Sequence, residues 1–201
     1  TLDCDGQSVQ MAVQSRGETV IEDCVIQNVM KGIYDGRGIV FLSGANNAVR
    51  RCDISNTQRI GVHVRGAVEP VAPVATIEDC TYTGKGNGDW LDYGVEFGGG
   101  GAGSVIRCTI TDCTGVASSD GSTSAGILIT DYYGTGTNAT VASSDISNCT
   151  AGIYVGYADT DISTATILYN DLADNVDYGI YATAAVDVQA AYNWWGDASG
   201  P

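Results

Sequence analysis

Apolar residues along this chain recur in short alternating runs, each of which begins with a glycine. In every run, two apolar positions flank one variable position, which is the period of two that β-strands show. The flanking pair is therefore expected to face a core, and the central residue to face the outside. The runs occupy residues 38–41, 61–64, 94–97, 126–129, 152–155 and 179–182. Their central residues are Val40, His63, Glu96, Leu128, Tyr154 and Tyr181.

A second phrase, centred on a cysteine, repeats between these runs. Cys24, Cys52, Cys80 and Cys108 are each 28 residues apart. The column starts at Cys4 and continues, with changed spacing, as Ser144, Asn170 and Asn193. Apolar residues stand three positions before nearly every member and two positions after it. Self-similarity at a fixed period indicates a stack of structural repeats, in which each repeat buries its apolar face against its neighbours.

Four positions after the cysteine column, short polar residues mark the end of a strand. They are Asn28, Asn56, Asp112, Asn148 and Asp174. Asn tolerates left-handed backbone angles, and its amide can bond the coils above and below, so this column predicts a ladder of turns. The sequence thus predicts an all-β chain folded as a single-stranded right-handed parallel β-helix, a solenoid of about seven coils. We expect one domain over residues 1–201 and, because the chain opens within a repeat, a segment of a longer protein.

The repeats differ mainly in the loops that separate their strands. Insertions fall at residues 29–37, 85–93 and 113–125, and further loops follow the glycine-led strands. Repeat proteins often collect such insertions on one binding face. Aromatic rings flanked by carboxylates can stack on sugar rings and bond their hydroxyls, although packing on the coil below is an equal alternative. The candidate ligand rim is Asp35, Arg37, Asp89, Trp90, Asp92, Tyr93, Asp131, Tyr132, Tyr133 and Tyr157.

The charge of the chain argues against two kinds of partner. It has 9 Lys and Arg against 24 Asp and Glu, a net charge of −15. Nucleic acid and anionic membrane surfaces both require a basic footprint, which is missing. No run of 18 apolar residues is present, so we expect no membrane insertion. Solvated turn carboxylates explain most of the acidity. Weak calcium candidates are Asp159, Asp161, Asp171, Asp174 and Asp177.

The cysteines and the single histidine suggest little further chemistry. We expect Cys24, Cys52, Cys80 and Cys108 to form a buried core ladder of thiols. No C-x-x-C pair indicates a zinc or iron–sulfur site. Cys113 and Cys149 share another column on adjacent coils and form a candidate disulfide. His63, on the outward column beside Glu96, is expected to be solvated.

The column pattern resembles the right-handed β-helix repeats of the pectin-lyase-like superfamily. It is closer still to repeats of carbohydrate-binding and sugar-hydrolase type, and to those of large bacterial and archaeal surface proteins. The phrase at residues 192–201, Asn-Trp-Trp-Gly followed by Gly-Pro, resembles the phrase that closes β-helix segments in adhesin-like proteins. Two large rings there can cap the apolar end of a solenoid.

The resemblance implies an extracellular or cell-surface structural or adhesive module with a glycan-binding rim. A polysaccharide lyase or glycoside hydrolase is one alternative, since cleavage needs an acid and a base, and Asp89 with Asp92 or Asp159 with Asp161 could supply them. The catalytic phrases of β-helix lyases and hydrolases are absent, which favours a non-enzyme. The other alternative is a subunit of an end-to-end stacked fibre. Glycans or self-association are the expected partners, and no cofactor is expected other than calcium. Sequons stand at Asn138 and Asn148.

Overall fold

The structure is a computed structural model that describes residues 1–32 and 34–200, and this part contains twenty β-strands, β1–β20 in chain order. They form three sheets. The first sheet holds β1 (Leu2–Asp3), β4 (Val25–Val29), β7 (Asp53–Thr57), β10 (Thr81–Thr83), β13 (Thr109–Thr111) and β16 (Asp145–Ser147). The second sheet holds β2 (Met11–Ser15), β5 (Arg37–Phe41), β8 (Ile60–Arg65), β11 (Tyr93–Gly98), β14 (Ala125–Thr130), β17 (Ala151–Val155) and β19 (Tyr178–Ala182). The third sheet holds β3 (Val20–Glu22), β6 (Asn47–Arg50), β9 (Val74–Glu78), β12 (Ala102–Ile106), β15 (Asn138–Ala142), β18 (Thr164–Leu168) and β20 (Asp187–Ala191).

The chain visits the three sheets in turn, so each of the strands β1–β15 pairs in parallel with the strand three places further along the chain. In the last coil the first sheet has no named strand, so β17 pairs with β19 and β18 with β20. Parallel bridges from Asp145 to Asp171 and from Asp171 to Trp194 carry the first sheet into the last coil. This arrangement confirms the predicted parallel β-helix of about seven coils. No helix long and apolar enough to cross a bilayer occurs in residues 1–32 and 34–200.

The alternation in the glycine-led runs becomes the core of the second sheet. Ile39, Val62, Val95, Ile127 and Ile153 pair in register from coil to coil and are all buried. Each such side chain contributes about 1.5–3 kcal/mol by leaving water, so the stack is held by one continuous apolar column. No single coil could bury this face alone.

The cysteine column lies at the corner between the third and first sheets. Cys52, Cys80 and Cys108 belong to the main core, and half-buried Cys24 packs against it. Each thiol donates to the carbonyl oxygen two residues before it, at 3.1–3.4 Å. The other two cysteines, Cys113 and Cys149, are also buried.

The structure gives all seven cysteines as free thiols, and the candidate disulfide between Cys113 and Cys149 stays an untested prediction. Each of these two thiols points back to its own strand. Cys113 donates to the Thr111 carbonyl at 3.7 Å and Cys149 to the Ser147 carbonyl at 3.3 Å. The two thiols also interact with each other across adjacent coils. Burial raises the pKa of Cys113, which favours the thiol form.

Toward the end of the chain, hydrogen bonds replace the thiols. Ser144 donates its backbone N–H to Asn170 Oδ1 at 3.0 Å, and Asn170 donates its own to Asn193 Oδ1 at 3.0 Å. The side-chain amides of both asparagines donate to carbonyl oxygens of the preceding coils. Trp195 packs against the main core, whereas Trp194 is largely exposed. One ring rather than two therefore covers this end, and Pro201 of the capping phrase lies outside the described residues.

Two columns of turns have left-handed backbone angles. The predicted column of Asn28, Asn56, Asp112, Asn148 and Asp174 has φ between 49° and 65°. A second column precedes the cysteine position, with φ between 50° and 60°. Its members are Asp23, Arg51, Asp79, Arg107, Ser143, Tyr169 and Tyr192. In the first column, Asn56 donates its amide to Asn28 Oδ1 at 2.5 Å, so the turns are also joined through side chains.

Coil four replaces the turn asparagine by Gly84 and carries a buried ion pair instead. Asp92 accepts bonds from the Tyr82 hydroxyl and the Lys85 backbone N–H, and its Oδ2 lies 3.4 Å from Lys85 Nζ. Lys85 Nζ also donates to the Thr57 and Gln58 carbonyls. Burial raises the pKa of Asp92 and lowers that of Lys85, and each charge opposes the shift of the other. Asp92 is thus a structural carboxylate with no access to a ligand, which corrects its place in the predicted rim.

We predict that alanine at Asn56 lowers the free energy of unfolding by about 1–2 kcal/mol, because a Cβ-bearing residue without a polar side chain is strained at φ 49°. Glycine should cost less, since it adopts this angle freely. Urea denaturation of both variants tests the order. Alanine at exposed Asn87, which lies outside the left-handed turns, is the control. Equal losses for Asn56→Ala and Asn56→Gly would contradict the role of the backbone angle.

We predict that Asp92→Ala lowers the free energy of unfolding by about 3–5 kcal/mol, since it leaves the Lys85 ammonium buried without its counter-charge. The double variant Asp92→Ala with Lys85→Met should recover part of this loss. Denaturation at pH 7 measures both, with Asp53→Ala on the exposed side of β7 as the control. A loss below about 1 kcal/mol would show that the pair is solvated rather than buried.

Candidate ligand-binding cavity

A cavity of about 430 Å³ lies on the outer face of the second sheet. Its floor includes Glu96, Leu128 and Tyr154, which come from the central positions of the glycine-led runs. The predicted outward column therefore does face away from the core. It is not uniformly solvated, however, because loops fold back over it and leave Glu96 only 1% exposed.

One wall of the cavity is the insertion at residues 113–124, which forms a small hairpin. Val116 and Thr123 are bridged in antiparallel fashion, and Ser124 Oγ donates to the Gly115 carbonyl at 2.7 Å. Asp89 fixes the hairpin from below, since its carboxylate accepts the Ser118 N–H and hydroxyl, each at 2.7 Å. Asp89, a predicted rim residue, thus acts as a support for the wall.

The opposite wall comes from the loops after β14 and β17. Tyr132 stands edge-on to Tyr133 and to Tyr157, with ring centroids 5.0 and 5.3 Å apart. Asp161 ties the two loops together, because its carboxylate accepts the backbone N–H groups of Asp131 at 2.8 Å and Tyr157 at 3.1 Å. The tyrosines are therefore held by a buried carboxylate rather than by their own packing alone.

A cluster of charged side chains underlies the cavity. Arg37, Arg59 and Arg65 surround His63 and Glu96, and the guanidinium of Arg65 lies 4.7 Å from the centre of the Tyr133 ring. His63 is fully buried, its Nε2 is 3.5 Å from Glu96 Oε1, and its ring centroid is 5.6 Å from that of Tyr133. The expectation of a solvated His63 is therefore wrong, because the loop at residues 131–137 covers it.

Burial sets the protonation of this cluster. It lowers the pKa of His63, and the nearby Arg37, Arg65 and Arg59 lower it further, so the imidazole is neutral at pH 7. Burial raises the pKa of Glu96, and the same three guanidinium groups oppose that shift. A neutral imidazole thus lies beside a carboxyl group whose pKa burial raises above its usual range.

The cluster also holds most of the unsatisfied polar atoms. In the part of the chain that the structure describes, eight buried side-chain N or O atoms have no hydrogen-bond partner. Six of these atoms belong to the charged cluster: Nε of Arg37, Arg59 and Arg65, both ring nitrogens of His63, and Oε2 of Glu96. Each such atom costs about 1–3 kcal/mol when left unpaired. The unpaired atoms are therefore concentrated beside one cavity.

The structure brings some predicted rim residues together and separates others. Tyr93, Tyr132, Tyr133 and Tyr157 line the cavity. Arg37 belongs to the cluster beneath it and lies 3.4 Å from Asp35. Asp131 Oδ1 accepts the Thr137 N–H inside its own loop.

Trp90 lies elsewhere, in a more open depression on the first sheet, with Lys85 Nζ 5.4 Å from its ring centre. Sequence reasoning did not select Arg59, Asp120 or Tyr154 for the site. The signal that could have found them was the polar character of the central column at His63 and Glu96.

The calcium candidates do not assemble into one site. Asp161 already accepts five hydrogen bonds, two of them from Ser163 at 2.9 and 2.5 Å. Asp171 Oδ1 accepts the Ala173 N–H, and Asp159, Asp174 and Asp177 are exposed. Among the described residues, no three His, Cys, Asp or Glu side chains are grouped to hold a metal ion. Calcium binding stays an untested prediction.

Comparison with known proteins bears on the fold. A family model described as right handed beta helix region matches residues 8–194. No curated protein and no solved structure gave a match. The match covers nearly the whole chain and agrees with three parallel sheets that the chain visits in turn. The chain therefore belongs to the right-handed β-helix family.

Proposed function

We propose that this β-helix is an extracellular or cell-surface module that binds glycans in the cavity on its second sheet. The observation that carries the proposal is the convergence of tyrosines. Six of the eleven in the chain line this one cavity: Tyr34, Tyr93, Tyr132, Tyr133, Tyr154 and Tyr157. Aromatic rings combined with a few convergent polar groups are typical of small-ligand sites, and tyrosine offers both a face and a hydroxyl.

The charges of the chain fit such a role. Its net charge of −15 favours solubility and disfavours nucleic acid and anionic lipid as partners. Rings that project from a rigid stack of coils are also pre-organised, which reduces the entropy lost on binding. The two most exposed rings of the cavity are Tyr132, at 63%, and Tyr157, at 49%. They are the ones positioned to meet a sugar first.

One observation favours a second candidate, a polysaccharide-cleaving enzyme. Glu96 and Asp120 both line the cavity. Burial raises the pKa of Glu96, whereas hydrogen bonds from Ser122 lower that of the exposed Asp120. Two carboxyl groups with pKa values pushed apart suit a general acid and a general base for glycoside hydrolysis. Release of reducing ends from a polysaccharide panel, lost in Glu96→Gln, would favour this enzyme over a binding module.

We predict that Tyr157→Ala and Tyr132→Ala each weaken glycan binding by about tenfold, which corresponds to about 1.4 kcal/mol of lost stacking. A glycan array identifies the ligand, and isothermal titration calorimetry gives the affinities. The control is Tyr192→Ala, because Tyr192 is 76% exposed and stacks on Tyr169 away from the cavity.

Two results would count against the proposal. Silence on the array and in calorimetry, with a folded protein, contradicts glycan binding altogether. Equal losses for Tyr192→Ala and Tyr157→Ala would place the binding surface outside the cavity. Sedimentation of the same preparation tests self-association into fibres.

A further inference from the structure

We propose that the side chains of Lys85 and Asp92 join in a covalent isopeptide bond, which forms within the folded chain by loss of one water molecule. The bond closes the loop at residues 85–92 into a ring. Neither residue lines the cavity on the second sheet, so this inference is independent of glycan binding. The buried ion pair of coil four is the state from which the bond forms.

The amine of Lys85 is held with one direction free for attack. Its side chain is only 8% exposed, and Nζ donates to the Thr57 carbonyl at 2.5 Å and to the Gln58 carbonyl at 3.1 Å. Asp92 Oδ2 lies 3.4 Å from the same nitrogen. An uncharged amine has two N–H groups and one lone pair. When both N–H groups are donated to the carbonyls, the lone pair is left for the side that Asp92 occupies.

The carboxyl group of Asp92 is held through both of its oxygens. Its side chain is fully buried. The Tyr82 hydroxyl donates to Oδ1, and the Lys85 backbone N–H donates to Oδ2 at 2.6 Å. The backbone of Asp92 is fixed as well, because its N–H donates to Ser124 Oγ at 2.9 Å. Fixed donors on a carboxyl group stabilise the negative charge that develops on its oxygens when an amine attacks the carbon.

Gly84 provides the space in which the two groups meet. Equivalent turn positions in neighbouring coils hold Asn56 and Asp112, which carry side chains. A Cβ at residue 84 would lie 2.8 Å from Asp92 Oδ2, closer than van der Waals contact allows, and would also clash with the Asp112 carbonyl oxygen. The glycine at this turn is therefore what lets the carboxyl group approach the loop that carries Lys85.

Burial favours the uncharged forms that react. It lowers the pKa of Lys85 and raises that of Asp92, although each charge opposes the shift of the other. One proton passes from the ammonium to the carboxylate, which gives an amine and a carboxylic acid without a change in net charge. Two reacting groups fixed in contact gain an effective concentration of about 10⁵–10⁸ M.

The bond-forming step needs no other reactant. The Nζ–Cγ bond forms and the Cγ–Oδ1 bond breaks. Oδ1 leaves as water with the acid proton and one proton from the nitrogen, and the Tyr82 hydroxyl supports its departure as a hydrogen-bond donor. Oδ2 becomes the amide oxygen and keeps the bond from the Lys85 backbone N–H.

Mass spectrometry of the purified full chain tests the proposal. We expect an intact mass below that of the sequence by one water, about 18 Da. Lys85 is the one Lys or Arg between Arg65 and Arg107, so trypsin cuts an unmodified chain into peptides 66–85 and 86–107. An acylated lysine is not cut. The bonded chain should therefore give a single peptide 66–107 that lacks one water, with no backbone fragments from inside the ring.

Two variants test the chemistry, and far-UV circular dichroism checks that each is folded. Lys85→Met removes the nucleophile and should have the full mass of its sequence. Tyr82→Phe removes the donor to Oδ1 and should slow bond formation by about a hundredfold, measured as the bonded fraction at successive times after a short pulse of expression. Asp53→Asn, on the exposed side of β7, should react as fast as the unaltered chain. Equal rates for Tyr82→Phe and the unaltered chain would overturn the role of the hydroxyl.

The digest of the unaltered chain decides the proposal even if both variants fail to fold. A folded chain of full mass that trypsin cuts after Lys85 overturns it. A loss of water that maps elsewhere, for example to a succinimide at Asp120, or that persists in Lys85→Met, overturns it as well. None of these results bears on the glycan array, so failure of this inference and failure of the proposed function are distinguishable.

Discussion

The backbone ladder between coils is the constraint from which the rest of the structure follows. Parallel strands lie about 4.8 Å apart, so every coil must trace the same path as its neighbours at that spacing. Residues at equivalent points are then forced into columns, and a column is stable only if its members pack or bond along the stack. The apolar column from Ile39 to Ile153, the thiols and the Asn170–Asn193 bonds are three solutions to this one requirement.

How far the sequence predicts the fold depends on whether a column restricts residue type. Apolar alternation, the 28-residue cysteine spacing and the asparagine turns restrict it strongly, and together they predicted the β-helix. The second column of left-handed turns does not restrict residue type. Its members include Asp, Arg, Ser and Tyr, because each is exposed and meets only the coil above and below. Arg51 and Arg107, for example, are held by acids of the preceding coil, which no local propensity indicates.

The candidate site was also predictable only in part, but the reason is different. Loop lengths showed where insertions lie, and aromatic loop residues indicated Tyr132, Tyr133 and Tyr157. The burial of His63 and Glu96 depends on a loop from a later coil that folds back over their strands, a tertiary event with no local signal. Trp90 and Asp92 show the opposite error. Both were assigned to the rim because they lie in a loop, whereas Trp90 lies on the first sheet and Asp92 is buried in an ion pair. The cost of six unpaired buried atoms is tolerated because the stacked coils beneath supply stability independently of them.

The hairpin at residues 113–124 has a consequence for how this architecture can diversify. Its two ends are bonded to each other, through Ser124 Oγ and the Gly115 carbonyl at 2.7 Å, so the segment leaves and rejoins the coil at nearly one point. A segment closed at its base transmits little strain to the ladder. Its length and sequence can therefore change while every column above and below keeps its register, so new recognition surfaces can arise by exchanging one module on an unaltered scaffold.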